Sequence, residues 1–574
     1  MTSPQVPQLR ERLALCAIDD LPPGLHPVLA RLYAARISDG REITLTWDAL
    51  PEPMDLKDMG RAAERLAQAV LQGERVTVAG DYDADGATAT AVLVRALRAF
   101  GGQIDFVVPD RRLEGYGLTE ALAVRIMRQT PQPALVVTVD SGISSHAGIA
   151  ALGAARIPVI VTDHHIPPDS LPDALAIVNP RRTDDPSGAV HLAGVGVAML
   201  LAAAVRKRLL EQGCRAASPS LAPLLPLVAL GTIADCVPLD RANRLLVAKG
   251  LEIIKRRLGP PGIRALAAAA RRDASSLTAE DLAFAVAPRL NAAGRLGDMT
   301  IGIQTLLADD EAAATEMAAR LDAINQDRRQ MEDTMRQEAE SLIIQDGRSG
   351  VLPPALCLHD PSWHEGVVGL VAARIREQTG RPTVAFAVGA DGLLKGSARS
   401  IPGVHIRDMI AVVDAGHPGL VTRFGGHAQA AGLTLAPGDL TTFDGALRAA
   451  VAQSTTDETF CDAILTDGAL ASHEHTVETA CAIETGGPWG QGFPAPRFVG
   501  DFQVTEIRPL SGGLHAKLTV TGADGAPLEA VAFQCAARLR WIPAIGPVRF
   551  VYGLSVNRYQ GRETVQLVIE RVLP

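Results

Sequence analysis

The sequence predicts two α/β domains joined by a long helix, followed by a small β-barrel. Short β-branched runs alternate with helical segments over the first part of the chain and again after residue 350. Strands separated by helical crossovers give a mainly parallel sheet covered on both faces. From about Glu311 to Gln345 the sequence is helix-favouring and heavily charged, which predicts a long connecting helix with much exposed surface. Five β-rich runs then crowd into the last ~75 residues, as a small Greek-key barrel requires.

The elements follow in order. Residues 1–70 read as a helical preamble, punctuated at Pro22-Pro23 and Pro51-Glu52-Pro53. The first α/β domain, 71–305, holds strands at Arg75 to Ala79, Ile104 to Val108, Ala134 to Val139 and Ile157 to Val161. Helices are expected from about Gly86 to Phe100, Ser144 to Leu152 and Leu224 to Ile233. The connecting helix occupies 306–346, and Gly347-Arg348-Ser349-Gly350 turns the chain into the second α/β domain, 347–455. There, strands Ala355 to Leu358 and Thr383 to Ala387 flank a helix from Gly366 to Glu377. In the last segment, 456–574, Pro488 to Pro496 reads as a linker. The runs Phe502 to Ile507, Ala516 to Val520, Ala530 to Phe533, Val548 to Tyr552 and Thr564 to Ile569 suit an OB-fold.

Composition narrows the function classes. The 574 residues are 47% hydrophobic and 21% charged, ordinary globular usage that excludes wholesale disorder. With 55 Lys+Arg against 64 Asp+Glu the net charge is −9, which on its own argues against a polyanion ligand. An aromatic content of 4% disfavours a surface built wholly of base-stacking platforms. The balance is uneven, however. Residues 497–574 hold nine Lys+Arg and six Asp+Glu, which leaves 46 against 58 in the first 496. No basic and apolar leader is visible at Met1 to Gln5. The longest apolar run, Leu192 to Val205, is 14 residues and reads as a buried helix, being short of the ~20 that span a bilayer. The seven cysteines form no CxxC pair and read as reduced, buried thiols. The expectation is a soluble cytoplasmic protein without a membrane partner.

Acidic and imidazole side chains fall at strand ends. Asp81, Asp83 and Asp85 follow the first strand, Asp140-Ser141-Gly142 ends another, and Asp163-His164-His165 ends a third. The carboxyl ends of parallel strands line the ligand crevice, so these donors meet at one edge. Asp235 adds a fourth donor from a helix. One Asp after a strand most often caps a helix, but four acidic sites with an Asp-His-His among them are poorly explained as caps. Carboxylates with a few imidazoles suit Mn²⁺ or Mg²⁺, and carboxylates so close together repel unless a cation lies between them. Two ions ~3.5–4 Å apart can clamp a phosphodiester and activate water for in-line attack. Arg111, Arg289, Arg295 and Arg399 offer planar forks that match phosphate oxygens. Gly425-Gly426 allows a close backbone approach beside His427.

These segments resemble the successive motifs of the DHH phosphoesterase superfamily and, more narrowly, the RecJ single-strand-specific DNA exonucleases. The narrower likeness lies in Pro109 to Gly117, Pro288 to Arg295, Trp363 to Gly369, Gly396 to Ser400, Phe424 to His427 and Gly487 to Gly490. It implies metal ligands at Asp83, Asp85, Asp140, His164 and Asp235, with His165 beside them. Superfamily members often carry a His four residues before the first ligand Asp. Here that position is Ala79, so one ion is held more weakly or Asp81 substitutes. The resemblance further implies DNA or phosphate contacts at Arg111, Tyr116, Arg289, Asn291, Arg295, His364, Ser397, Arg399, Gly425, Gly426 and His427. Arg111, Arg289, Ser397 and Arg399 would read the 5′ terminus. It implies a DHH domain, a smaller DHH-associated domain and a nucleic-acid-binding barrel. The implied activity is 5′-to-3′ removal of mononucleotides from single-stranded DNA with two Mn²⁺ or Mg²⁺ ions, in repair and recombination. A monomer served by a helicase and a single-stranded-DNA-binding protein completes that expectation. A small-substrate phosphoesterase would not need the barrel, and a non-catalytic scaffold would not need intact ligands.

Two signals are discounted. His473-Glu474-His475 reads as exposed, and Gly194-Val195-Gly196 as a helix-packing motif rather than a dinucleotide fingerprint. Asn325, Arg328 and Arg329 are placed along the groove between the two α/β domains.

Overall fold

The computed structural model describes residues 8–111, 113–346, 352–460, 463–510, 515–533, 545–559 and 561–573. The turn expected at Gly347 to Gly350 and the cysteines 461 and 535 lie outside these residues. Near the N-terminus a short strand, β1 (Gln8–Glu11), precedes 3-10 turns and the helix Pro27–Ala34. Only helix was expected here. The run Gln-Leu-Arg-Glu has no periodic signal, because its partner, Ala463–Thr466, comes from the far end of the chain.

The first sheet contains β2 (Arg75–Ala79), β3 (Gln103–Val107), β4 (Leu135–Val139), β5 (Val159–Thr162) and β6 (Ala176–Val178), all parallel in the order β3-β2-β4-β5-β6. Both faces are buried, so β4 is apolar or Thr throughout and buried at every position. Period-2 alternation splits its side chains. Val137 and Val139 face the helices Met59–Leu71, Ala84–Ala99, Gly194–Glu211 and Leu225–Ala234, while Val136 faces Glu120–Met127 and His146–Ala154. The strand order reverses between β2 and β4, which opens a crevice at their carboxyl ends.

The connecting helix, Glu311–Asp346, runs 36 residues. Beyond it β7 (Leu356–His359), β8 (Thr383–Val388), β9 (Leu394–Arg399), β10 (Val421–Gly426) and β11 (Ala430–Leu435) form a mixed sheet ordered β10-β11-β9-β8-β7, with the helix Val368–Thr379 against β8 and β9. β7 and β8 were expected. β9 to β11 were not, because Gly, Ser, Lys and Arg interrupt them and depress their β-propensity. After β12 (Ala463–Thr466), a closed barrel is built from β13 (Phe498–Leu510), β14 (His515–Thr521), β15 (Pro527–Ala532), β16 (Gly546–Tyr559) and β17 (Arg562–Leu573). Its order is β13-β14-β15-β17-β16, with one parallel pair, β15 and β17.

The segment Pro488 to Pro496, expected as a linker, is packed. Trp489 and Phe493 stack at 5.0 Å between ring centroids and lie against Tyr33. Arg244 sits over Phe493 at 4.2 Å, and Leu239 N–H donates to the Gln491 carbonyl at 2.7 Å. His475, expected to be exposed, is half-buried, with its Nε2 2.8 Å from the Tyr552 hydroxyl, whereas His473 is exposed. The described cysteines are free thiols, as expected, but none is fully buried and Cys236 is exposed.

A buried ion pair helps tie the N-terminal segment to the C-terminal part. Arg36 makes a bidentate contact with Asp467 at 2.7 and 2.9 Å, and both side chains are almost fully enclosed. Removing one partner strands the other charge in the interior. Asp467→Ala is expected to cost about 3 kcal/mol or more, read as a lower unfolding midpoint in calorimetry; an unchanged midpoint would show the pair to be dispensable.

Candidate metal centre and phosphate cleft

Each strand end delivers its donors through a turn that the sequence specifies. After β2, Asp83 caps the helix Ala84–Ala99, its Oδ1 accepting Gly86 N–H at 2.9 Å. A Cβ at Gly86 would lie 2.5 Å from that of Asp81, so glycine is required there. After β4, Asp140 has φ +59°, a left-handed conformation uncommon outside glycine, which marks a backbone constrained for the site. After β5, Asp163 holds the next two residues. Its Oδ1 accepts His164 N–H at 2.7 Å and His165 N–H at 3.0 Å, and lies 2.8 Å from His165 Nδ1, while Oδ2 accepts Ile143 N–H at 2.9 Å. Asp235 stands at the C-terminus of Leu225–Ala234.

Gly194 and Val195 are more than the packing motif expected. Their N–H groups donate to the two Asp85 oxygens at 2.7 and 3.0 Å, so a helix N-terminus grips a site carboxylate. A Cβ on Gly194 would sit 2.6 Å from Asp140 Oδ1, and one on Gly231 2.8 Å from Asp85 Oδ1. Two glycines therefore let two helices close on the acidic cluster.

The donors converge. Asp81, Asp83 and Asp140 bring ligand atoms within 4.8 Å of one another, as do Asp85, His164 and Asp235, and Asp140, His164 and His165. His164 Nε2 lies 3.0 Å from Asp140 Oδ1, 3.5 Å from Asp235 Oδ2 and 3.8 Å from Asp85 Oδ2. Both Asp140 Oδ1 and His164 Nε2 are buried without a hydrogen bond. Burial, reinforced by neighbouring Asp charges, pushes Asp81 and Asp140 well above the carboxylate range, Asp85 up to about 7 and Asp235 up to about 8. Burial, with the His165 charge added, lowers His164 to about 3, so its imidazole is neutral and ready to ligate. Burial opposes charge on His165 too, but the Asp163 hydrogen bond and charge prevail and raise it to about 9. Unpaired oxygens beside a neutral imidazole fit hard divalent cations.

A basic flank adjoins this centre. The Arg111 guanidinium lies over the Tyr82 ring at 5.1 Å, and Tyr116 packs edge-on to Tyr82 and His165, both at 6.1 Å between ring centroids. Burial and then the charges of Arg111, Arg328 and Arg399 lower Arg295 to about 10. A cavity of about 310 Å³ opens here, its wall mixing Arg111 and Arg295 with Asp110, Asp298 and Glu365. Arg399 donates to Ser397 Oγ at 3.1 Å, and Gly369 in the first turn of Val368–Thr379 approaches both side chains closely. His364 Nδ1 accepts Gly366 N–H at 3.1 Å. Gly425 and Gly426 end β10 and His427 follows it, where burial and then the His165 charge lower the His427 imidazole.

Several expectations need correction. Arg289 does not face the cleft. It is buried and bonded to Asp322 of the connecting helix at 2.6 Å. Asn291 acts on the protein, its Oδ1 accepting Ala84 N–H at 2.8 Å at the start of the metal-loop helix. Asn325 is buried and accepts from Arg328 at 3.1 Å, so these two brace the long helix; Arg329 is exposed. Asp163, and the Gly194 and Val195 N–H groups, were not assigned from sequence. A Gly-x-Gly opening a helix beside an acidic cluster is the signal that points to them.

The unfolded chain gives up carboxyl protons near 4, while Asp85 and Asp235 keep theirs to about 7 and about 8. The metal-free fold therefore loses stability as pH rises from about 4 to about 8, and a divalent cation, which binds the deprotonated form, offsets that loss. The unfolding midpoint of chelator-treated protein is expected to fall between about pH 6 and about pH 8.5, and Mn²⁺ to restore it; no response to Mn²⁺ at the higher pH contradicts this. Gly194→Ala should weaken Mn²⁺ binding in calorimetry by displacing Asp140, and unchanged affinity would count against the close approach.

Comparison with known proteins agrees with this geometry. The DHH family N-terminal domain model matches residues 75–232, the DHHA1 domain 352–453 and the RecJ OB domain 466–571. The chain is 44% identical over 577 residues to the single-stranded-DNA-specific exonuclease RecJ of Dickeya dadantii, covering 99% of each. It is 43% identical over 563 residues to that of Escherichia coli, covering 97% of each. The Mn²⁺ complex of RecJ from Thermus thermophilus superposes with a TM-score of 0.79 at 29% identity, over 99% of this chain and 80% of that one. The three family models thus fall on the parallel-sheet domain, the mixed-sheet domain and the closed barrel in turn, and the chain belongs to the RecJ family of DHH phosphoesterases.

Proposed function

We propose that the cleft seats the 5′ end of a single DNA strand and removes mononucleotides from it with two divalent ions. The chain is a metal-dependent single-stranded-DNA exonuclease by membership of its family, and relatives were solved with Mn²⁺ and with Mg²⁺. The observation that carries the reading is the set of carboxylates around the unbonded Asp140 Oδ1 and His164 Nε2. In this proposal Asp83, Asp85, Asp140, His164 and Asp235 hold the ions, with Asp81 in the place of the imidazole that Ala79 lacks. Bound there, the ions supply charge to polarise the scissile phosphate and lower the pKa of an attacking water. His165, its Nδ1 held by Asp163, offers Nε2 to a phosphate oxygen. Arg111, Ser397 and Arg399, with Arg295 behind them, receive the 5′ phosphate, and Tyr116, His364, Gly425, Gly426 and His427 line the strand's path. The barrel grips the incoming strand.

The proposed division runs 71–305 for the DHH domain, 306–346 for the helix, 347–455 for the associated domain and 456–574 for the barrel. A monomer acting in the cytoplasm, in repair and recombination, with a helicase and a single-stranded-DNA-binding protein supplying substrate, completes it. No described helix is long and apolar enough to cross a membrane.

Single strands blocked at the 5′ or the 3′ end test this directly. With Mn²⁺ the 3′-blocked strand should be digested to mononucleotides and the 5′-blocked strand spared; digestion that survives a chelator, or the opposite polarity, refutes it. Asp140→Ala should reduce cleavage by at least ~100-fold, the upper range for disturbing a metal's surroundings, while strand binding in a gel-shift assay persists.

A further inference from the structure

Five strands end along the carboxyl edge of the first sheet, and four of them are already accounted for. In spatial order, β3 leads to Arg111, β2 to Asp81 and Asp83, β4 to Asp140, and β5 to His164 and His165. The remaining edge strand, β6, leads through Asn179 and Pro180 to Arg181. Asn179 is fully buried and doubly engaged. Its Nδ2 donates to the His165 carbonyl at 2.9 Å, and its Oδ1 accepts Arg181 N–H at 2.8 Å. The backbone of Arg181 is thereby indexed to that of His165. Its side chain is steadied by Nε donating to the Val190 carbonyl at 3.1 Å.

Beyond that one bond the guanidinium has no carboxylate among the described residues to balance its charge. Among the described residues Arg181 forms no ion pair, whereas its neighbour Arg182 is held by Asp58 and Asp184, each at 2.8 Å. Arg181 is half-buried, and its charge reaches Asp235, His164 and, from the second α/β domain, His427. A fixed cation beside a cation-binding centre weakens metal binding unless an anion arrives to offset it. The acidic centre is thus flanked by arginine at both edges of the sheet, Arg111 beyond β3 and Arg181 beyond β6. Four strand spacings of ~4.8 Å separate those edges, ~19 Å in all, a span of several nucleotides.

We propose that Arg181 grips a backbone phosphate of the DNA strand on the 3′ side of the scissile bond, across the metal centre from Arg111, Ser397 and Arg399. The strand then crosses the carboxyl edge of the sheet from β3 to β6, held at both ends by arginine and cleaved between them. Arg181 sets where the strand lies over the metals. This rests on the exonuclease reading above, and on its polarity for the assignment of the 3′ side.

The test uses the full chain with Mn²⁺ and 5′-phosphorylated single strands carrying one uncharged methylphosphonate linkage, scanned over the first four positions. Wild type should lose about tenfold or more in kcat/KM at one linkage 3′ of the scissile bond, the size of a charged hydrogen bond. Arg181→Ala should lose the same factor on the native strand, mainly through KM, and be indifferent to the methylphosphonate at that linkage. Arg181→Lys should recover part of the loss. Mn²⁺ affinity without DNA should be unchanged or tighter in Arg181→Ala. Equal sensitivity of variant and wild type at every linkage, or weaker Mn²⁺ binding in the variant, overturns the assignment. If the strand is digested from its 3′ end, the polarity reading fails. The coupling between Arg181 and one neutral linkage still tests the contact separately.

Discussion

Mutual repulsion among buried carboxylates is the constraint around which this molecule is arranged. Asp81, Asp85, Asp140 and Asp163 are each at most 2% exposed at one edge of one sheet. Such a cluster is tolerable only where backbone donors reach it and a cation can enter. Both conditions shape the fold. The Gly194–Glu211 helix points its N-terminus at Asp85, the Asp163 carboxyl gathers three backbone donors, and glycines stand wherever a Cβ would push a carboxylate aside. The reversal of strand order between β2 and β4 supplies the crevice, with Asp83 and Asp140 at its lips.

The remaining modules are organised around that edge. The mixed sheet brings Ser397 and Arg399 from β9 and His427 from the end of β10 towards it, and the connecting helix braces α/β domain to α/β domain through Asp322 on Arg289 and Glu338 on Trp363. The N-terminal segment and the packed Trp489–Phe493 turn lock the C-terminal part onto the first domain. The net charge of −9 is consistent with a nucleic-acid substrate on this view. Part of the acidic excess lies in a cluster suited to divalent ions, while arginines ring the cleft and the barrel is locally basic.

The metal edge was legible in the sequence because hydrophobic runs of strand length ended directly in Asp or Asp-His-His, a local pattern. The barrel and the long helix were legible for the same reason, through strong periodicity or composition. What escaped notice depends on distant partners. β6 is only three residues long, β1 needs a partner from the other end of the chain, and β9 to β11 trade β-propensity for small and charged residues at the cleft. Side chains of one type also divided by context. Arg289 turned inward to Asp322 while Arg295, six residues on, joined the cleft, a difference set by helix rotation and tertiary packing. Asn291 kept its place in the motif but spends its oxygen on the Ala84 backbone, and Gly194 serves a carboxylate where a packing role was expected.

The central claim is that the acidic edge is a paired metal centre. Anomalous diffraction at the manganese edge, from crystals grown with Mn²⁺, tests it most directly. Two peaks ~3.5–4 Å apart are expected, with Asp81, Asp83 and Asp140 around one, Asp85, His164 and Asp235 around the other, and a carboxylate between them. No peak at this edge, or peaks confined to other acidic surfaces, would contradict the account.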